Sequence, residues 1–180
     1  MEDLNKKASI RVGIIGDKAH ELHPDTKLTN AHLGAIHEFG ATINVTDKMR
    51  AYLHYKGIHL KPETTTITIP ARSFLRDTFF NKEAQERLMD IAGLGSREFN
   101  KEFFEYKMIT DEGFFIDICK LIGAKALRMV QDSFRAGGYP KPWPPISDIT
   151  RKNRIGDESQ PPLTDTGYLF RSISVEVKEL

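Results

Sequence analysis

Residues 111–136 read DEGFFIDICKLIGAKALRMVQDSFRA. Phe115, Ile118, Ile122, Ala126, Val130 and Phe134 recur at steps of three and four, which predicts one long amphipathic helix. Gly137-Gly138 follows and ends it, because glycine leaves helical dihedrals without a Cβ penalty. A helix with one apolar face must bury that face against a second layer. The flanking segments have to supply that layer.

Upstream, SIRVGIIG at 9–16 alternates Ile10, Val12 and Ile14 with Arg11 and Gly13, the period of a half-buried strand. A polar loop over 17–28 leads to TNAHLGAIHEFG at 29–40. Here Thr29 or Asn30 is the N-cap, Leu33, Ile36 and Phe39 share a stripe, and Gly40 closes a short helix in the left-handed region. ATINVT at 41–46 and TTTITIP at 64–70 are rich in Thr, Ile and Val and read as strands. Pro70 ends the second, since it lacks the ladder donor. Between them, 47–60 forms either a short helix and turn or a hairpin arm; the simplest assembly of 41–68 is a projecting β-ribbon. Residues 71–92 carry Phe74, Leu75, Phe79, Leu88, Met89 and Ile91 and predict a helix broken by a turn at 93–95. Residues 97–108, with Phe99, Phe103, Phe104 and Met108, predict another.

Downstream, the chain changes character. YPKPWPPISDITRKNRIGDESQPP at 139–162 holds most of the prolines and the only Trp. Long structureless connections are rare inside compact domains, so 137–162 reads as an extended, proline-stiffened loop docked through Trp143. In LTDTGYLFRSISVEV, Asp165 or Thr166 is placed to cap one helical turn. Ile173, Val175 and Val177 then alternate along a last strand. The order of elements predicts a single α+β domain over 1–180, an antiparallel sheet packed against several helices.

The 180 residues carry 26 Lys+Arg against 25 Asp+Glu, a net charge of +1, which argues against a binder driven by bulk phosphate attraction. A single cysteine forms no internal disulfide and no CxxC metal site; Cys119 lies in the long apolar helix and reads as a small buried hydrophobe. No apolar run nears the ~18 residues that span a bilayer, and the acidic start MEDLNKK leads into no signal core, so assembly in the cytoplasm is the expectation.

Metal and catalytic motifs fail on spacing. His37-Glu38-Phe39-Gly40 has Ala41 where H-E-x-x-H needs its second histidine, and His20 and His23 are three apart with Pro24 following. Asp111-Glu112 and Asp157-Glu158 are neighbours in polar turns, and adjacent acids do not converge across a substrate. Gly13 and Gly16 lack the third glycine of a dinucleotide loop. The residues therefore predict no enzyme, no metal and no cofactor. Arg135, Lys141, Arg151, Lys152 and Arg154 gather in or beside the Pro-rich loop. They read first as subunit contacts, where Arg and Trp are favoured anchors, and otherwise as solvated charge or a weak, salt-sensitive DNA contact.

Four stretches carry a resemblance: GAIHEFGATI at 34–43, IPARSFLRDTF at 69–79, WPPISDITRKNR at 143–154 and PLTDTGYLFRSI at 162–173. Together they resemble the virion morphogenesis proteins of tailed phages, the neck or tail-completion proteins of Mu-like and lambda-like phages and prophages. The residues fit that likeness as architecture. IPARSFLR reads as a strand-to-helix corner, with Arg72 and Arg76 one helical turn apart on a face able to bind a carboxylate.

The resemblance implies a structural subunit at the head–tail junction of the virion, assembled in the bacterial host cytoplasm. It implies copies of itself in a ring, neighbouring connector and tail-terminator proteins, and DNA passing through the channel as partners, with no membrane. The ribbon at 41–68 and the loop at 137–162 would be its arms, with Trp143, Tyr52, Arg72 and Arg154 as subunit contacts. Two rivals stand beside it: a DNA-binding packaging accessory protein, and a metal-dependent cell-wall hydrolase.

Overall fold

The computed structural model describes residues 7–24, 26–90, 101–157 and 159–180. Strand β1 (Ala8–Gly13) leads to α1 (Asp17–His20), α2 (Asn30–Phe39) and β2 (Ala41–Asn44). Then come α3 (Asp47–Tyr55), β3 (Thr66–Ile69), α4 (Arg76–Phe79), α5 (Lys82–Met89) and α6 (Lys101–Thr110). The chain continues through α7 (Glu112–Ala136), α8 (Asp148–Lys152) and α9 (Tyr168–Ser172) into β4 (Ser174–Glu179).

Helix α7 begins where its cap dictates. The Asp111 carboxylate accepts the Phe114 amide at 3.0 Å, satisfying one of the donors a helix start leaves open. At the other end Gly137 sits in the left-handed region (φ 73°, ψ 29°), its amide donating to Phe134 and that of Gly138 to Ser133, the paired closing bonds of a glycine-terminated helix. The buried face runs through Cys119, Gly123, Ala126, Met129, Val130, Ser133 and Phe134. It agrees with the expected stripe from Ala126 onward. Nearer the N-terminus it is rotated by one residue, leaving Phe115, Ile118 and Ile122 half-buried. The cause is close approach: a Cβ on Gly123 would lie 2.7 Å from a Val175 methyl and 3.3 Å from one of Ile10. The small residues Cys119, Gly123 and Ala126 let the strands lie directly on the helix.

Those strands are β1 and β4, antiparallel, with Ile10 opposite Val177 and Val12 opposite Val175. The sequence predicts one sheet, whereas the described residues form two, each of two strands: β1–β4 and β2–β3. In the second, Ala41 faces Ile69 and Asn44 faces Thr66. Its four-residue strands alternate exposed Thr42, Asn44, Thr66 and Thr68 with half-buried Ile43, Ile67 and Ile69, too narrow an apolar face to extend the layer over α7. Of the two alternatives for 47–60, the helix and turn is found: Thr46 caps α3 by accepting the Met49 amide at 3.2 Å.

Other boundaries move for local reasons. Thr29 caps α2 through the His32 amide, but Gly40 leaves it at φ 74°, ψ 169°, a positive-φ extended exit rather than a left-handed helical one. The helix predicted over 71–92 is two short ones: 71–75 is non-helical, and Asn81 caps α5 through the Ala84 amide at 2.9 Å. Ile91, the turn at 93–95, Arg97 and Phe99 lie outside the described residues, as do the side chains of Met89, Phe103 and Phe104. Within 139–162, Ser147 caps α8 through Thr150, so that segment is not structureless throughout. Neither Asp165 nor Thr166 caps α9; the residue there is Gly167, left-handed and with no side-chain cap.

The core is Phe74, Val130, Phe134, Trp143, Leu169 and Ile173. Phe134 is its hub. Its ring lies edge-to-face with Phe74 at 5.1 Å, Trp143 at 5.4 Å and Phe170 at 5.8 Å, spacings that favour aromatic pairs.

Candidate functional site

Glu38, in the last turn of α2, is 5% exposed. Its Oε1 accepts the Ser73 hydroxyl at 2.6 Å and the Arg76 amide at 2.9 Å, and Oε2 accepts the Phe74 and Leu75 amides at 2.9 and 3.0 Å. These four bonds hold the carboxylate by charge-assisted contacts and satisfy the amides that the start of α4 leaves open. This explains why 71–75 is not helical: its backbone is wrapped around a side chain 35 residues upstream in the case of Ser73. The expectation that Arg72 and Arg76 together hold a carboxylate is corrected accordingly. Backbone amides hold it. Arg76 lies over the Phe39 ring at 5.5 Å, and Arg72 turns the other way.

Arg72 donates from Nε to the Pro144 carbonyl at 2.9 Å and from Nη2 to that of Pro145 at 3.1 Å. Trp143 adds an indole N–H to the Ser73 carbonyl at 3.3 Å. Arg154 donates to the Gln160 and Pro161 carbonyls at 2.6 and 2.8 Å. Asp165, placed at a cap by the sequence, instead accepts the Ile155 and Gly156 amides at 3.0 and 2.8 Å. A cleft of about 780 Å³ opens between β3 and this loop, with Arg72, Arg154, His37 and Asp165 among apolar neighbours such as Ile69 and Leu163. Burial, then the nearby Arg154 charge, lowers the Arg72 pKa. His37 is pushed down to about 4, by burial first and then by the charges of Arg72 and His23, so it is neutral at physiological pH. Its Nδ1 is buried without a partner.

Of the four residues expected at subunit contacts, Trp143 and Arg72 are buried within the chain, and Arg154 is half-buried with its guanidinium tied to carbonyls. Tyr52, on α3, is 59% exposed. A second, apolar groove of about 400 Å³ lies between α2 and α4, with Phe39 67% and Phe80 81% exposed at its rim. From the sequence alone Glu38 stands out only beside the incomplete zinc spacing and within the stretch 34–43. The signal was present: a lone acid on the half-apolar end of a helix, with a Ser-containing corner to receive it.

Among the described residues, no three His, Cys, Asp or Glu side chains converge, and no helix is long and apolar enough to cross a membrane. Cys119 is buried, and burial raises its thiol pKa. That leaves it protonated and a poor nucleophile. The arrangement spends its polar groups on holding loops in place. Comparison with protein-family models, curated proteins and solved structures finds no match to this chain.

Proposed function

We propose that this protein is a structural subunit of a tailed-phage virion at the head–tail junction, a neck or tail-completion protein that assembles into a ring joining connector to tail. One observation carries the reading. Three of the four stretches that carry the resemblance are hydrogen-bonded to one another, Glu38 to residues 73–76 and Arg72 to 144–145, and the fourth packs Leu169 and Ile173 into the same core as Phe74 and Trp143. Stretches that meet in one scaffold of backbone-directed bonds and core packing suit an assembly part.

In this reading the segments 41–68 and 137–162 meet the neighbouring subunits, the second docked on the body through Trp143 and Arg72 and offering its outer side. A closed ring needs two different surfaces that fit each other. Tyr52 and Tyr55 on α3 and the Phe39–Phe80 groove are exposed apolar surfaces of the kind such contacts cover. The nucleic-acid reading has fewer groups to rest on, since Arg154 already donates to carbonyls and Arg135 pairs with Asp132.

The test is loss of the gene in the phage or prophage that carries it. The expected result is filled heads and finished tails that fail to join, restored by the protein supplied in trans. Normal infectious particles without it, or electron microscopy of assembled particles in which both arms touch no neighbour, would overturn the proposal. Binding to DNA that collapses between low and physiological salt would instead favour the packaging accessory.

A further inference from the structure

His54 occupies the last turn of α3, and His59 lies just past the turn that ends it. Two devices bring them together. Gly57, at φ 77°, donates its amide to His54, while Ile58 donates to Leu53 at 2.8 Å. These crossed bonds of a glycine-terminated helix fold the exiting chain back over the last turn. One helical turn before His54, Arg50 then spreads its guanidinium over the carbonyls of Leu60, Lys61, Pro62 and Thr64 at 2.7–3.4 Å. The segment that carries His59 is thereby stitched to the helix that carries His54.

The result is two exposed imidazoles whose Nδ1 atoms lie 2.9 Å apart, with ring centroids at 4.5 Å and planes at 70°. We propose that His54 and His59 form a two-imidazole clip for one divalent transition-metal ion of the copper–nickel–zinc class. Neutral imidazole nitrogen is the commonest protein ligand for these ions. With metal–nitrogen distances of about 2.0–2.1 Å, two nitrogens at a right angle on the ion stand about 2.9 Å apart, and at a tetrahedral angle about 3.3 Å. The observed spacing, held in the metal-free chain by a hydrogen bond between the two nitrogens, matches the right angle of tetragonal Cu²⁺ or Ni²⁺. Either ion would replace that bond once both rings carry their proton on Nε2, whereas Zn²⁺ requires the nitrogens to part by a few tenths of an ångström. Cu²⁺ also leads the affinity order for nitrogen sites. Among the described residues no third His, Cys, Asp or Glu completes the set, so the ion keeps open positions for water or a group from another molecule. The clip would lock the turn after α3 to the helix, stiffening the tip of the excursion between β2 and β3.

The test is titration of the full chain with Cu²⁺, then Ni²⁺ and Zn²⁺, by calorimetry, with electron paramagnetic resonance of the Cu²⁺ form. The expected result is one ion per chain, two nitrogen ligands in the hyperfine pattern, and affinity falling from Cu²⁺ to Zn²⁺. Losing an outer-sphere partner alone costs roughly 10–100-fold at metal sites, so His54→Gln and His59→Gln should each weaken Cu²⁺ binding at least ~10-fold. The control pair His20→Gln with His23→Gln should leave binding unchanged. Both target side chains are exposed, so circular dichroism of the variants should match the parent. Binding that survives both substitutions, a single-nitrogen spectrum, or no stoichiometric binding would each overturn the clip.

Discussion

The body around Phe134 and the excursion from β2 through α3 to β3 are held by different forces. The body buries aromatic rings edge-to-face and lays a sheet on small residues of α7. The excursion buries no residue of α3 at all. It is organised by the Thr46 cap, the Gly57 turn and the four carbonyls that Arg50 collects. Apolar burial is worth about 25 cal/mol per Å² and adds up across a core, whereas a typical hydrogen bond nets only about 0.5–1.5 kcal/mol against its competition with water. The body should therefore unfold as one unit, and the excursion should open locally before it.

The largest effect expected is at the hub. Phe134→Ala should destabilise the whole chain by about 3–5 kcal/mol, seen as a lower urea midpoint with little change in slope. A loss under about 1 kcal/mol would mean that the body is not organised around this ring.

Next comes acid. His37 sits at about 4 in the folded protein against 6.5 in the open chain, so between those values the unfolded state binds more protons. Stability should rise with pH across that window and fall on acidification, by up to about 3 kcal/mol in total. His37→Gln should flatten this part of the profile of stability against pH between 6.5 and 4. Carboxylates that titrate in the same range are shared by both proteins and cancel in the difference. An unchanged slope would show that the ring is not kept neutral by its surroundings.

Glu38→Gln keeps the shape of the latch but replaces one accepting oxygen with a donor that faces backbone amides. A loss of about 2 kcal/mol is expected, with new exchange of the Phe74, Leu75 and Arg76 amides. The smallest global effect belongs to the excursion: Arg50→Ala should change overall stability by less than about 1 kcal/mol while hydrogen exchange rises selectively over residues 45–64. If exchange rose equally in α7, the two regions would not be separable.

Much of the body was legible because its signals are local. The spacing of Ala126, Val130 and Phe134, the Gly137 stop, and the alternation in 9–16 and 172–177 all act within a few residues. What was hidden depends on partners far along the chain. Glu38 stands out as a lone acid on α2, but which amides it takes depends on chain 36–38 residues further on, and nothing near Asp165 reveals that its carboxylate turns back to residues 155–156 rather than forward into a cap. The direction of Arg72 is equally remote, since its acceptors lie 72 and 73 residues away. The same applies to Gly123, whose neighbours Ile10 and Val175 come from the two strands that flank all the helices. A stripe counted on side-chain size alone cannot see that a missing side chain marks the contact.

The pairing of β1 with β4 has a consequence for how the chain is made. Ile10 and Val177 meet across nearly the whole described length, so the first strand leaves the ribosome with no partner and α7 follows with its small-residue face uncovered. Loop closure of that span is slow compared with helix formation. Until the last strand emerges, an apolar strand edge and the bare flank of α7 coexist in one molecule. The interval before closure, rather than the finished protein, is when this chain is most exposed to pairing with the wrong copy of itself.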